Sequence, residues 1–292
     1  MVVFAPLIMI IKINYTEVDR GAIDRILAGR IMMCAKILPV VFVILLTLAG
    51  KANAAHPLIT DDTGTQGKGK AQLEIVGEYG HDIENGVKTN SLVVPTMPVL
   101  SYGIANAADI VFGLSYQRFE AKQDEVSTEK RGLSDASIEL KVRLYEKDGL
   151  SVAVKPGVSL PTGDESKGLG NGRTSYRIII ITTKDLPPWA FHLNLGYIRN
   201  EYGFQADGDA NRKDIWQVSL ASQKEIIKKL KAVANIGMEK SPDKTSDSHP
   251  AFILGGIIYS VTENLDADFG VKGALNKPET DISYLAGITW RL

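Results

Sequence analysis

The sequence has a single cysteine and almost no net charge. Cys34 is the only cysteine in 292 residues, and 33 Lys and Arg balance 34 Asp and Glu to a formal charge of -1. A chain with one cysteine can form neither an internal disulfide nor a thiolate zinc site. The balanced charge provides no extended basic surface, so we expect no nucleic-acid partner.

Long apolar runs are also missing, apart from two near the N-terminus, at residues 1–13 and 37–49. A mean hydropathy of -0.01 is too polar for several membrane-spanning helices. The apolar run 37–49 follows Lys36 and precedes Ala-Asn-Ala at 52–54, which is the arrangement of a secretory signal peptide. At about 13 residues this run is shorter than the roughly 20 that a spanning helix needs, and a membrane anchor is therefore the weaker alternative.

These features divide the chain into four segments. We predict a signal peptide over 32–54, with cleavage between Ala54 and Ala55. Residues 1–31 precede it and fit no part of a signal peptide, so we interpret them as an upstream extension whose translation is doubtful. Residues 55–70 form a periplasmic or plugging N-terminal segment, and 71–292 form the folded domain. Cys34 falls in the removed part, which leaves the mature chain without cysteine.

Apolar and polar residues alternate along most of the mature chain. Ala136, Ile138 and Leu140, for example, alternate with Ser137 and Glu139. A period of two residues is typical of a β-strand with one apolar and one polar face. The pattern predicts about twelve strands, mostly of about 10–14 residues, as spanning strands require. They cover 71–81, 91–103, 107–120, 134–146, 149–161, 172–184, 189–201, 213–224, 229–240, 250–261, 264–275 and 281–292.

Short connections alternate with longer polar ones. Short turns are expected at 103–107, 146–149, 184–188, 225–228 and 262–264, and longer loops at 82–90, 121–133, 161–171, 200–213 and 241–249. Tight periplasmic turns, long extracellular loops and an even strand number are typical of outer-membrane barrels. Because hydrocarbon offers no partner to an open sheet edge, we predict an all-β fold, a closed antiparallel transmembrane β-barrel in the bacterial outer membrane. A soluble β-sandwich with shorter strands is the alternative.

The final strand, 281–292, has an apolar face that contains Tyr284 and Trp290. It resembles the terminal strand that the barrel assembly machinery of the outer membrane recognises, except that Leu292 occupies the last position, where an aromatic residue is usual. We therefore expect that machinery as a partner, together with outer-membrane lipid and lipopolysaccharide.

Two stretches of the mature chain resemble a family of outer-membrane transporters labelled "MetA-pathway of phenol degradation". Residues 56–69 read HPLITDDTGTQGKG, and residues 160–172 contain LPTGD followed by GLGNG. The resemblance implies a porin or transporter with a link to the uptake of aromatic compounds. It brings no catalytic, cofactor-binding or metal-binding residues, and we expect no cofactor.

The polar faces of the predicted strands supply the lining of the lumen. Acidic and basic side chains are nearly balanced there, so the lining lacks the ring of one sign that gives ion selectivity. The predicted lumen-lining residues are Glu74, Glu78, Glu139, Lys141, Arg143, Lys155, Arg177, His192, Gln217, Glu239, Asp266, Asp268, Lys272 and Arg291.

These features favour a porin or transporter for small compounds, including aromatic or hydrophobic ones. A non-conducting structural or adhesive barrel, whose loops bind a partner, is the first alternative. An outer-membrane lipid hydrolase that combines His192 with Ser175 or Ser219 is a second, but no local motif marks a nucleophile. The histidines lack metal-ligand spacing, and residues 207–218 depart from a calcium loop at both diagnostic positions. We therefore predict no metal site and no enzymatic activity.

Overall fold

The computed structural model describes residues 56–84, 86–123 and 126–292. The predicted signal peptide, its cleavage site at Ala54 and Ala55, and the upstream extension 1–31 lie outside the described residues. Within the described part of the chain, no helix is long and apolar enough to cross a membrane.

The described residues form one continuous antiparallel sheet of thirteen β-segments. Along the chain these are β1 (Ala71–Glu84), β2 (Val87–Ala105), β3 (Ala108–Gln123), β4 (Val126–Leu133), β5 (Ala136–Lys147), β6 (Leu150–Leu160), β7 (Ser175–Leu186), β8 (Trp189–Arg199), β9 (Asp214–Ile227), β10 (Leu230–Glu239), β11 (Ala251–Ser260), β12 (Leu265–Ala274) and β13 (Ile282–Arg291). β1 pairs with β13 as well as with β2, so the sheet closes on itself. The predicted closed all-β barrel is confirmed.

Two of the segments, β4 and β5, together make one strand of the barrel. β3 pairs with β5 from Ala108 to Gly113, and with β4 from Tyr116 to Gln123. Between these two ladders the Ser134 amide donates to the carbonyl oxygen of Ser115 at 2.8 Å, so only a short irregularity interrupts the pairing with β3. Twelve strands therefore enclose the lumen, which is the number that the sequence predicts.

Two connections that the sequence assigns to loops, 82–90 and 121–133, are largely strand. β1 and β2 continue as a hairpin to Glu84 and Val87, and β3 and β4 pair up to Gln123 and Val126. The expectation of loops there is wrong because the hydropathy pattern detects only strands that have an apolar face. Nearly every residue of β4 is exposed, so this strand projects beyond the apolar band and has no need of such a face.

The outer face of the barrel is apolar along strands whose inner face is polar. In β8 the side chains of Phe191, Leu193 and Leu195 are 37–49% exposed, while His192 and Asn194 between them are 2–4% exposed. Hydrophobic side chains in this position face lipid. Exposed aromatic residues lie near both ends of the strands, as in the girdles of membrane barrels. Near the long loops these are Tyr79, Tyr176, Tyr197, Trp216 and Tyr284, and near the short turns Tyr102, Tyr145, Trp189, Phe191 and Tyr259.

The loop between β6 and β7 contains the LPTGD and GLGNG motifs and folds around Asp135. The amides of Gly163 and Asn171 each donate to a carboxylate oxygen of Asp135 at 2.9 Å. A β-carbon at Gly170 would collide with the same carboxylate, so a glycine is required there. Leu169 is only 2% exposed. The two motifs therefore specify the shape of one long loop.

The loop between β8 and β9 contains the only α-helix of the described residues, α1 (Gln205–Ala210). It includes Asp207 and Asp209 of the stretch that partly matches a calcium loop. No group of three or more acidic, histidine or cysteine side chains in the described ranges could hold a metal ion.

Candidate functional site

Residues 56–70, here called the lumen segment, lie inside the barrel and follow its inner wall. His56 begins beside Asp268 of β12, and the segment then meets Asn235 of β10 and Thr183 of β7. Further along, Gln66 contacts Asp109 of β3. The lumen segment thus passes successive strands around the barrel before it enters β1.

The backbone of the lumen segment is held by polar side chains of the wall. The amides of Ile59 and Thr60 donate to Asn235 Oδ1 at 2.8 and 3.0 Å, and Thr60 Oγ1 donates to Ser219 Oγ at 2.7 Å. The Thr63 amide donates to a threonine hydroxyl of β7 at 3.2 Å. A buried extended chain outside a sheet needs such partners for its amides. The wall is therefore built to receive this segment.

Apolar and small residues of the wall form the rest of the surface against which the lumen segment packs. Leu58 packs in a buried cluster with Ala221, Val233 and Ile258. Pro57 is fully buried, and a β-carbon at Gly256 would lie 2.8 Å from its Cγ atom. The missing side chain at position 256 leaves the space that the proline ring fills.

An ion network joins the lumen segment to β5 and β6. Asp61 accepts from Lys141 Nζ at 2.9 Å and from Lys155 Nζ at 2.8 Å. Asp62 lies 3.5 Å from Lys141, and Lys155 also pairs with Glu139 at 3.2 Å. Burial by itself would raise the pKa of Asp61, but the two lysine ammonium groups outweigh burial and hold that pKa well below its ordinary value.

A second set of charged pairs lies on β1, β12 and β13. Lys272 Nζ contacts Glu78 at 3.0 Å and a carboxylate of the last loop, Glu279, at 3.2 Å. Arg291 pairs with the buried carboxylate of Asp266. Opposite charges thus meet within the wall itself, as the near balance of acids and bases suggests.

The other residues predicted for the lumen also lie along the inner wall. Glu74, Arg143 and Arg177 border one cavity, and Gln217 and Glu239 border another. Arg177 pairs with Glu139, which links it to the network around Asp61. His192 is 2% exposed, and its Nδ1 atom lies 2.9 Å from Thr183 Oγ1.

The structure does not assemble the hydrolase site that combines His192 with Ser175 or Ser219. His192 is paired across the sheet with Ala221 and Thr183, and Ser219 accepts a hydrogen bond from the lumen segment. Ser175 instead contacts Asn171 at 3.1 Å. Strand alternation placed all three side chains on one face, but the register separates them along that face.

Two cavities of about 470 Å³ each remain inside the barrel beside the lumen segment. The first follows β1 to β7, and the second follows β6 to β12. Ile59, Asp61, Lys155 and Arg177 border both. The lumen segment and this pair of cations therefore stand between the two spaces.

Sequence reasoning missed most of the uncharged residues that hold the lumen segment. The predicted lining consists of charged side chains together with Gln217 and His192. Thr183, Ser151 and Ser219 contact the segment through hydroxyl groups, and of these only Ser219 was named, as a possible nucleophile. Their positions on polar strand faces could have placed them in the lumen. Nothing in a single sequence shows which lumen hydroxyl meets a segment more than 80 residues away.

The family model for the MetA-pathway of phenol degradation matches residues 57–292. The chain belongs to this family. No curated protein matches it in sequence. Among solved structures, an outer-membrane channel from Pseudomonas putida F1 superposes with a TM-score of 0.63 at 11% identity, covering 83% of this chain and 100% of the channel. The NanC porin superposes with a TM-score of 0.50 at 14% identity, covering 75% of this chain and 100% of the porin.

At these identities the two structures establish the fold of this family member and nothing finer. Its closed barrel is porin-like, and its exterior is apolar on strand after strand, with aromatic residues near both ends. Such an exterior is stable only in lipid. The protein is therefore a β-barrel of the bacterial outer membrane, as the sequence predicts.

Proposed function

We propose that this barrel is a passive channel for small compounds that carry both an apolar and a polar part, aromatic compounds among them. The observation that carries this proposal is the pair of cavities beside the lumen segment. A barrel with only a structural role gains nothing from open space in its interior, because filled interiors are more stable.

The lining of the second cavity supports the choice of substrate class. Ile59, Ile179 and Phe252 provide apolar surface, while Lys272 and Arg177 border the same space. Lys272 Nζ also lies 5.8 Å from the ring centroid of Phe252. Most of the remaining lining is polar or charged, and polar groups of this kind fix the orientation of a bound molecule. A single aromatic ring with one polar substituent matches this combination, and the family label points in the same direction.

The lumen segment is, in this proposal, the constriction of the channel. It stands between the two cavities, and Asp61 holds it to two lysines of the wall. We propose no enzymatic role, because His192 contacts a threonine and the serines nearby are occupied elsewhere.

Purified barrel in planar lipid bilayers and in liposomes tests this proposal directly. We expect stepwise single-channel currents, and uptake of benzoate into liposomes faster than uptake of a disaccharide. Protein-free liposomes are the control for passive leakage. Absence of both currents and uptake would overturn the channel and favour the non-conducting structural or adhesive barrel.

A phospholipase assay in detergent tests the lipid hydrolase. We expect no cleavage of phospholipid by the folded barrel. Cleavage that disappears in His192→Ala would instead establish an enzyme.

A further inference from the structure

A basic concavity of about 420 Å³ lies at the long-loop end of the barrel, near the ends of β8, β9 and β10. It is lined by Arg199, Arg212, Lys213, Asp214, Lys240 and Lys244. Five cationic side chains thus face one carboxylate. This site is separate from the lumen and from the proposed path of transport.

Two of the five cations are compensated by carboxylates. Arg199 Nη1 donates to both carboxylate oxygens of Asp214 at 2.8 and 2.9 Å. Lys213 Nζ pairs with Glu201 at 2.6 Å. These two pairs hold Arg199 and Lys213 in place, and the other three cations lack such a carboxylate.

The other three cations have no ion-pair partner among the described residues. Arg212 donates to the carbonyl oxygens of Ser241 and Lys244, each at 3.1 Å, and Lys244 Nζ donates to the carbonyl of Gly208 at 2.6 Å. Carbonyl oxygens hold these side chains in place without cancelling their charge. Lys240 lines the same space. The result is a positioned basic cluster, with Asp243 near Arg212 as a further acidic neighbour.

The height of this basic cluster along the barrel axis indicates which part of the membrane it faces. Along the outer face of β10, the exposed Ile236 and Met238 are followed, two residues further, by Lys240. The Lys240 amide donates at 2.9 Å to the carbonyl of Trp216, an exposed residue of the aromatic girdle. The cluster therefore begins where the apolar band ends. Because long loops are extracellular, this is the head-group level of the outer leaflet.

We propose that this concavity binds a phosphate group of lipid A, the membrane anchor of lipopolysaccharide, with the acyl chains lying along Met238 and Trp216. A phosphate monoester carries close to two negative charges and accepts several charge-assisted hydrogen bonds from lysine and arginine. Basic clusters at the edge of the hydrocarbon bind anionic lipid head groups in this way. Free phosphate shares the head-group chemistry but lacks the chains that the apolar band would receive.

Native mass spectrometry of the folded barrel in detergent, titrated with bisphosphorylated lipid A, tests the proposal. The variant Arg212→Gln/Lys240→Gln/Lys244→Gln should bind about tenfold more weakly, since each cation near an anionic surface contributes to the affinity. The matched control is Lys122→Gln/Lys130→Gln/Arg131→Gln, which removes three positive charges from the β3–β4 hairpin at the same end of the barrel. We expect it to bind like the native chain.

Two further ligands separate the possible sources of the phosphate. Dephosphorylated lipid A should not bind, and inorganic phosphate at millimolar concentration should not displace the lipid. Equal binding of the dephosphorylated lipid would overturn the proposal, as would native affinity in the triple variant or equal loss in the control. Displacement by inorganic phosphate would assign the site to a soluble anion instead. If the triple variant fails to fold, Lys240→Gln alone, which removes no side-chain hydrogen bond to any described residue, should still weaken binding severalfold.

Discussion

Asp61 connects the lumen segment to two lysines of the charged wall. Its carboxylate accepts from Lys141 and Lys155, and Lys155 continues the network to Glu139. All of these groups are largely shielded from solvent. Removing one member of such a network leaves charges without compensation, which costs more than the hydrogen bonds themselves.

We expect Asp61→Asn to loosen the lumen segment. The amide keeps the shape of the side chain but not its charge, so the lysines lose their shared counterion. The free energy of unfolding, measured by urea titration in detergent, should fall by about 2 kcal/mol. Asp247→Asn, in an exposed loop, is the matched control and should leave stability unchanged. Native stability in Asp61→Asn would show that the network contributes nothing.

The low pKa of Asp61 also predicts how this effect depends on pH. A carboxyl whose pKa is lowered by folding stabilises the protein above its unfolded pKa of about 3.9, and the stabilisation is lost only as the pH falls through the lower, folded value. The groups that face Asp61 are Lys141, Lys155 and, through them, Asp62 and Glu139. The stability difference between native chain and Asp61→Asn should therefore be equal at pH 8 and pH 5. A difference that shrinks by pH 5 would mean that Asp61 is not held as an ion pair.

At the residue scale, the sequence predicted which side chains line the lumen better than it predicted what those side chains contact. Lys141 and Lys155 were placed in the lumen by strand alternation, and the structure puts both beside Asp61. Their partner could not be identified, because Asp61 is 80 residues from Lys141 along the chain. Strand alternation shows on which face of the sheet a side chain lies. It carries no information about which residues from outside the sheet contact that side chain.

Among the elements, the lumen segment is the one without regular secondary structure. It replaces strand pairing with hydrogen bonds to wall side chains, and Asn235 alone accepts from two consecutive amides. Such an attachment can be broken without disturbing the ladders of the barrel. We therefore expect that this segment, unlike the strands, can be removed without loss of the fold.

Deletion of residues 56–66 should raise single-channel conductance severalfold, because the two cavities would merge into a wider path. The barrel should still fold, as judged by its heat-modifiable mobility in gel electrophoresis. Conductance equal to that of the native chain would show that the segment does not restrict the channel.

A designed disulfide provides the complementary experiment. Thr60 Oγ1 and Ser219 Oγ are 2.7 Å apart, so Thr60→Cys/Ser219→Cys places two thiols within bonding reach in a part of the chain, after Cys34, that otherwise has no cysteine. Oxidation should lock the segment and suppress current fluctuations, and reduction should restore them. Each single cysteine variant is a control that should not respond to oxidant. Identical traces in both redox states would indicate a segment that does not move.

The strands themselves were predictable to within a few residues wherever they cross the apolar band. β6 was expected over 149–161 and spans Leu150–Leu160, and β12 was expected over 264–275 and spans Leu265–Ala274. The failure at 121–133 has one cause. A hairpin in water has no reason to alternate, and its polar sequence is indistinguishable from that of a loop.

At the scale of the whole molecule, closure and alternation together produce two environments. Every barrel strand pairs on both sides within the apolar band, so the backbone is satisfied and side chains alone meet lipid. This global property was predictable from the periodicity of the strands, because that periodicity is visible along the sequence itself. The content of the lumen was not, because it depends on contacts between distant parts of the sequence.

A charge placed on the exterior should destabilise the barrel according to its depth. Ile236 is 46% exposed near the middle of β10, and Ile236→Arg should lower the free energy of unfolding in lipid by about 2–4 kcal/mol. Met238→Arg, on the same face but closer to the loops, should cost about 1 kcal/mol or less. Unfolding in urea from phospholipid vesicles measures both. Equal costs at the two positions would contradict a lipid-facing surface there.

One further property of the barrel follows from the way the β3–β4 hairpin projects past the rest of the sheet. Among the described residues β4 pairs only with β3, so its outer side carries backbone donors and acceptors that no neighbouring strand uses. An unpaired strand on a cell surface is a template onto which another molecule's strand could add. Glu129, Lys130 and Arg131 stand on this strand, exposed and charged. Charges of this kind oppose the approach of a second strand, and they keep neighbouring barrels in a crowded membrane from joining edge to edge.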